Sequence, residues 1–295
     1  MRGAETGPAA GRSRLTRRLR AAAWRLTKRA YALVPGSQRP ALNLYAYLLR
    51  HGDLPTVLSE PPPASRVLVL APHPDDETIG CGGLLRLLAS AGAAVTVVFL
   101  SDGRRGYDLS APCGGSREVQ AALATTRRRE AESATALLGV QERVFFDLPD
   151  GDLGADPTAT ERLRSELQRR RPELVLLPFL TDQHPDHLET NRLFLRAARG
   201  PFAGGAPECW AYETRTPLPA NRIVDITAVA ATKWAALAAY ASQRAVVDYL
   251  ETTRGLNAFR WLATNRGSGF AEAFHVCPLA EYRRLFAILT GEDVN

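Results

Sequence analysis

The sequence predicts an α/β fold, a Rossmann-like and mostly parallel sheet with helices on both faces. Three observations carry that prediction. The runs RVLVLA (66–71), AVTVVFL (94–100) and ELVLLP (173–178) are apolar at consecutive positions, the pattern of strands covered on both sides. Segments of helical period separate these runs, and strands alternating with helices build parallel sheets. Two of the runs lead into short His/Asp clusters, HPDDE at 73–77 and HPDH at 184–187, and open α/β sheets place ligand sites at that carboxyl edge. A metal site at the carboxyl edge of the strands is therefore part of the prediction.

Taken in order, residues 1–12 read as a disordered tail. Residues 13–34 read as a basic amphipathic helix, with Leu15, Leu19, Ala22, Leu26, Ala30 and Leu33 at helical spacing and arginines on the other faces. Pro35 and Gly36 stop it. A second helix is expected within 40–58, and Pro61-Pro62-Pro63 then makes a stiff linker. The expected organisation is a helical extension over 13–63 and one catalytic domain over 64–290. Within that domain the strands are expected at 66–71, 94–100, 143–148, 173–178, 209–214 and 222–226. Helices are expected at 82–91, 116–138, 157–171, 188–199 and through much of 227–264.

Composition narrows the function classes. The chain has 295 residues, 45% apolar and 23% charged, which is ordinary globular material. It holds no apolar run of about 18 residues and no compact apolar segment with a cleavage site near its start. Four widely spaced cysteines (Cys81, Cys113, Cys209, Cys277) with no CxxC point to reduced thiols and a cytoplasmic location. The net charge is +6, but residues 1–30 alone carry nine basic side chains against Glu5, so the remainder is slightly acidic. That distribution argues against nucleic acid as the partner of the whole protein. Three readings of the basic arm stand: packing on the body, peripheral contact with an anionic membrane through Trp24 and Tyr31, and organellar targeting. The arginine bias, with only Lys28 and Lys233 as lysines, lowers the last.

The two clusters carry the chemistry. Pro72 and Pro74 keep the chain after the first strand from entering a helix at once, so His73 and Asp76 can converge on one cation in the turn. The plainer reading of each cluster is a polar turn whose aspartates cap the next helix. The pair, at one edge of one sheet, favours the metal reading.

The chain resembles the PIG-L/LmbE family of zinc-dependent de-N-acetylases. The resemblance runs through VLVLAPHPDDE (67–77), GCGG (80–83), LSDG (100–103), Arg127 with Glu130, LPDG (148–151) and HPDH (184–187), then fades through Lys233, Ser242-Gln243 and AEAF (271–274). It implies His73, Asp76 and His187 as ligands of Zn²⁺, with Fe²⁺ or another divalent ion as an alternative. Three protein ligands with an open fourth position mark a catalytic site. It implies Asp75 as general base and His184 as oxyanion stabiliser or proton donor to the leaving amine. Asp186 is a candidate for orienting a histidine, and Asp102 is a weaker candidate for a helping role. The implied activity is removal of the N-acetyl group from an N-acetylated amino sugar or glycoconjugate, through attack of a zinc-activated water. The alternatives are cleavage of another amide conjugate and a non-catalytic metal-binding module. Oligomeric state is open.

Other features have competing readings. Leu85 leaves GxGxxG incomplete after Gly80 and Gly82, so close helix packing is preferred to a nucleotide loop. Cys81 reads as a small buried thiol, and His51 and His275 as structural. Lys233 reads equally as shaping the site or as a solvated helix residue. Arg127 and Glu130 read as an i,i+3 ion pair or as substrate contacts. Residues 103–116 read as a loop over the site, with Arg104, Arg105 and Tyr107 available to an anionic or sugar substrate.

Overall fold

The computed structural model describes residues 29–40, 42–44, 46, 55–106, 116–202, 204–244 and 247–292. The expected tail, most of the basic helix, His51, Tyr107 and Cys113 lie outside the described residues. In chain order the elements are β1 (Thr56–Leu58), β2 (Arg66–Ala71), α1 (Asp76–Ser90), β3 (Ala94–Ser101), α2 (Arg117–Leu138), β4 (Glu142–Leu148), α3 (Ala159–Arg170) and β5 (Leu174–Pro178). There follow α4 (Pro185–Ala197), β6 (Glu208–Tyr212), β7 (Arg222–Asp225), α5 (Ala230–Ala238), α6 (Ala241–Arg244), α7 (Tyr249–Trp261), β8 (Ala271–Pro278) and α8 (Leu279–Thr290).

One eight-stranded sheet runs β1-β7-β8-β6-β5-β2-β3-β4. Only β8 is antiparallel to its neighbours, β6 and β7; the remaining pairings are parallel. The continuous apolar strands explain this arrangement. Val67, Val69 and Ala71 of β2 face a core formed with α1, α2 and α5, through Leu84, Leu88 and Ala134 among others. Leu68 and Leu70 face the opposite core, against α3, α4 and α8, through Leu163, Phe194 and Phe286. Every side chain of the strand after Arg66 is therefore buried in one core or the other, and each fully buried Leu or Val contributes about 1.5–3 kcal/mol.

The order of strands creates the site. From β2 the chain winds outward through β3 and β4, then returns to the other side of β2 as β5. Neighbouring connections leave β2 and β5 in opposite directions, opening a crevice at their carboxyl ends. Both His/Asp clusters leave these two central strands.

The sheet extends beyond the expected limits. Thr56–Leu58 is not helical but pairs in parallel with β7, so the sheet begins upstream of residue 64. Leu44 is 2% exposed and packs into the core on the α3–α4 face. The three prolines therefore connect two strands of one sheet. Leu33, in contrast, is 86% exposed, so this member of the expected leucine stripe does not pack on the body. At the other end, β8 and α8 extend the fold where no strand or helix was expected.

Candidate metal centre

The first cluster sits in a strained turn. Asp75 has φ 139°, a region that non-glycine residues rarely adopt and that costs of order 1–3 kcal/mol. Its carbonyl accepts the amides of Thr78 and Ile79, starting α1. Arg127 from α2 holds the turn. It donates to the Pro74 carbonyl at 2.6 Å and to the Gly103 carbonyl at 3.1 Å, and pairs with Asp75 Oδ2 at 3.0 Å. The i,i+3 pairing expected for Arg127 and Glu130 is not formed; Glu130 instead accepts the Ser242 amide and hydroxyl at 2.8 and 2.7 Å.

The second cluster opens α4 in a relaxed way. Pro185 occupies the first turn, where its missing N–H costs nothing. His184 caps the helix, its Nδ1 accepting the Asp186 amide at 3.2 Å. That bond fixes the tautomer with the proton on Nε2. Burial, then the neighbouring His73 and His187, lower the pKa of His184, so it is a neutral imidazole presenting Nε2–H.

The clusters meet at Asp76. Its Oδ2 lies 3.1 Å from His73 Nδ1 and 3.2 Å from His187 Nε2. The His73, His184 and His187 rings form a triangle with centroids 4.5–5.5 Å apart, which places the His184 Nε2–H beside the two other imidazoles. Behind each histidine stand carboxylates. His73 Nε2 is 3.1 Å from Asp186 Oδ2 and 3.4 Å from Asp150 Oδ1. His187 Nδ1 is 3.1 Å from Asp182 Oδ1, and Asp182 is itself held by the Thr214 hydroxyl at 2.6 Å. This histidine–carboxylate backing is the arrangement that orients imidazole ligands of metals.

The donor set fits a divalent cation. Burial by itself lowers the pKa of His73, but hydrogen bonds to Asp150, Asp186 and Asp76 outweigh it and hold the group well above its usual value. Burial likewise lowers the pKa of His187, but Asp76 and Asp182 outweigh it and raise the group to about 9. Both imidazoles are thus surrounded by carboxylates that favour positive charge. The same environment holds Asp76 well below the usual carboxylate range against the effect of burial. Asp75 behaves oppositely: burial raises it to about 6, with Arg127 opposing and Asp76 assisting.

The centre lies in a cleft of about 730 Å³ whose lining includes Ile79, Arg105, Gln243, Arg215, Tyr249 and Leu256. Asp102 pairs with Arg104 and does not line this cleft. Cys81 is buried, and burial, then Glu272 and Glu77, push its thiol well above the usual range. His275 is bound through Nδ1 to the Pro219 carbonyl, away from the centre. Lys233 is fully buried, not solvated. The glycines serve close packing: a Cβ on Gly80 would lie 2.2 Å from the Tyr212 ring. Asp150 and Asp182 back the histidines from loops; Asp150 belongs to the LPDG motif but has no role assigned from sequence, and Asp182 carries no motif at all.

Comparison with known proteins agrees with this geometry. Residues 68–198 match the profile described as "PIG-L: GlcNAc-PI de-N-acetylase". A 4-oxalmesaconate hydratase from Pseudomonas putida is 32% identical over 67% of this chain and 83% of its own length. A diacetylchitobiose deacetylase from Thermococcus kodakarensis is 30% identical over 47% of this chain and 50% of its own. Among solved structures, an N,N'-diacetylchitobiose deacetylase from Pyrococcus horikoshii superposes with a TM-score of 0.65 at 26% identity, covering 81% of this chain and 93% of that one. The matched segment contains both His/Asp clusters and the crevice between β2 and β5, and the chain belongs to the PIG-L family.

Proposed function

We propose that this protein is a metal-dependent hydrolase that removes the N-acetyl group from an N-acetylated amino sugar or glycoconjugate. The observation that carries the reading is the contrast between neighbouring carboxylates: Asp76 is held ionised between two histidines while Asp75, beside it, is lifted to about 6. A group with a pKa near neutrality is suited to take and return a proton. His73, Asp76 and His187 would hold the ion, taken as zinc with iron(II) as an alternative. Such an ion polarises the amide carbonyl and makes water a better nucleophile. Asp75 Oδ accepts the proton of the water that adds to the carbonyl. His184, neutral with Nε2–H free to donate, stabilises the oxyanion that results. Asp75 then passes its proton to the amide nitrogen as the C–N bond breaks, leaving acetate and the free amine. Protonating His184 at Nδ1 would set a donor against the Asp186 amide, which favours the oxyanion role over that of acid.

A second reading has its own support. A relative sharing two thirds of the chain is named a hydratase. Addition of water to the double bond of a polycarboxylate needs the same base. Arg105 and Arg215 line the cleft and neither is ion-paired among the described residues, so both are available to carboxylates. The test is primary-amine release from a panel of N-acetylated sugars and conjugates, with chelator and then with zinc restored, beside loss of absorbance from unsaturated polycarboxylates. Amine release that chelator abolishes and zinc restores is the expected result. Loss of the unsaturated chromophore without amine release would replace the first reading by the second.

A further inference from the structure

The helix that carries Asp76 is broken, and a buried ion pair is built into the break. Within α1, Cys81 leaves helical geometry with φ −145° and ψ 16°. The Gly83 and Leu84 amides donate to the two oxygens of Glu272, at 2.7 and 2.8 Å. Lys233 donates to the Ile79 carbonyl at 2.9 Å, the carbonyl an unbroken helix would pair with the Gly83 amide. The ammonium also donates to Glu272 Oε1 at 2.7 Å and to Asn257 Oδ1 at 2.9 Å, which uses all three of its protons. Lys233, Glu272 and Asn257 are 0, 1 and 3% exposed.

These groups come from α5, β8 and α7, the last third of the chain, and they close on a segment that cannot hold itself. Residues 80–83 are Gly-Cys-Gly-Gly, and glycine weakens a helix interior. A continuous helix would turn residues 76–79 relative to the rest of α1, and Asp76 with them. We propose that Lys233 and Glu272 are positioning residues: their ion pair sets the angle of the first turn of α1 and so the placement of Asp76 and Asp75 at the metal centre. This proposal rests on the metal reading of that centre.

Cobalt(II) loaded into the chelator-treated protein reports the geometry directly, through its visible ligand-field bands and its dissociation constant. The double variant Lys233→Met/Glu272→Gln removes the pair without leaving a lone buried charge. It is expected to fold by far-UV circular dichroism, to bind cobalt on the order of tenfold more weakly, and to show altered bands. Its kcat is expected to fall with KM little changed. A folded double variant with wild-type bands and affinity overturns the proposal. If the double variant does not fold, Asn257→Ala decides: a smaller loss in the same direction, with shifted bands, supports the proposal, and wild-type values overturn it. Wild-type protein that takes up no cobalt overturns the metal reading itself, a different outcome from a variant that matches a cobalt-binding wild type.

Discussion

The two loops that form the centre do comparable work by opposite means. Each follows a central strand, opens a helix and delivers an imidazole backed by carboxylate. The loop after β5 is at ease: His184 caps α4 and Pro185 occupies its first turn. The loop after β2 is strained at Asp75 and tied by Arg127 to the carbonyls of Pro74 and Gly103. On the proposed roles, strain falls where a base would sit beside the ligands, and a conventional capped helix carries what would be a ligand and a donor. The two loops should therefore fail differently when mutated.

The largest difference is expected between Asp75→Asn and His187→Ala. The first should keep its metal by elemental analysis yet lose roughly 10²–10⁴-fold in kcat, the range of general-base catalysis. The second should lose the metal. Wild-type turnover in Asp75→Asn would remove it as the base, and full metal occupancy in His187→Ala would break the ligand set. Next in size is Asp182→Asn, which takes the carboxylate from behind His187. Metal affinity should weaken roughly 10–100-fold in chelator competition, with the pH profile unmoved; undiminished affinity would mean that Thr214 and the helix orient His187 unaided. The smallest effect is expected in the pH profile of Arg127→Met, which also removes the donor to the Pro74 and Gly103 carbonyls. Burial raises Asp75 while the Arg127 cation lowers it. Removing the cation lifts the group above about 6. Since the base must be deprotonated, the acid limb of kcat/KM moves to higher pH. An unmoved limb would uncouple Arg127 from the base.

The part of this comparison legible in sequence is the part with local signatures. β2, β3 and β5 announce themselves as unbroken apolar runs, and both histidine clusters lie within a few residues of a strand. The tie that strains the first loop was not legible, because Arg127 and Glu130 sit one helical turn apart and invite pairing with each other. In the fold each reaches a different element. Asp182 reads as an ordinary turn residue, and Asp150, although inside LPDG, carries no assigned role in sequence, since what distinguishes both is the imidazole nitrogen opposite. β8 carries no clear strand signal for a related reason. Its sequence AEAFHVCP interrupts the apolar pattern with Glu272 and His275, and the lysine that accommodates Glu272 lies 39 residues earlier on α5.

The position of β5 beside β2 also has a kinetic side. His73 and Asp186 are in contact although 113 residues separate them in the chain. Parallel neighbours cannot be joined by a tight turn, and contacts so distant in sequence form slowly. During synthesis the ribosome must release the first turn of α4, with Asp186 and His187, before the proposed cation site can close. The pocket thus registers the completion of the central sheet, and a cation bound there stabilises the finished fold by mass action rather than guiding its early steps.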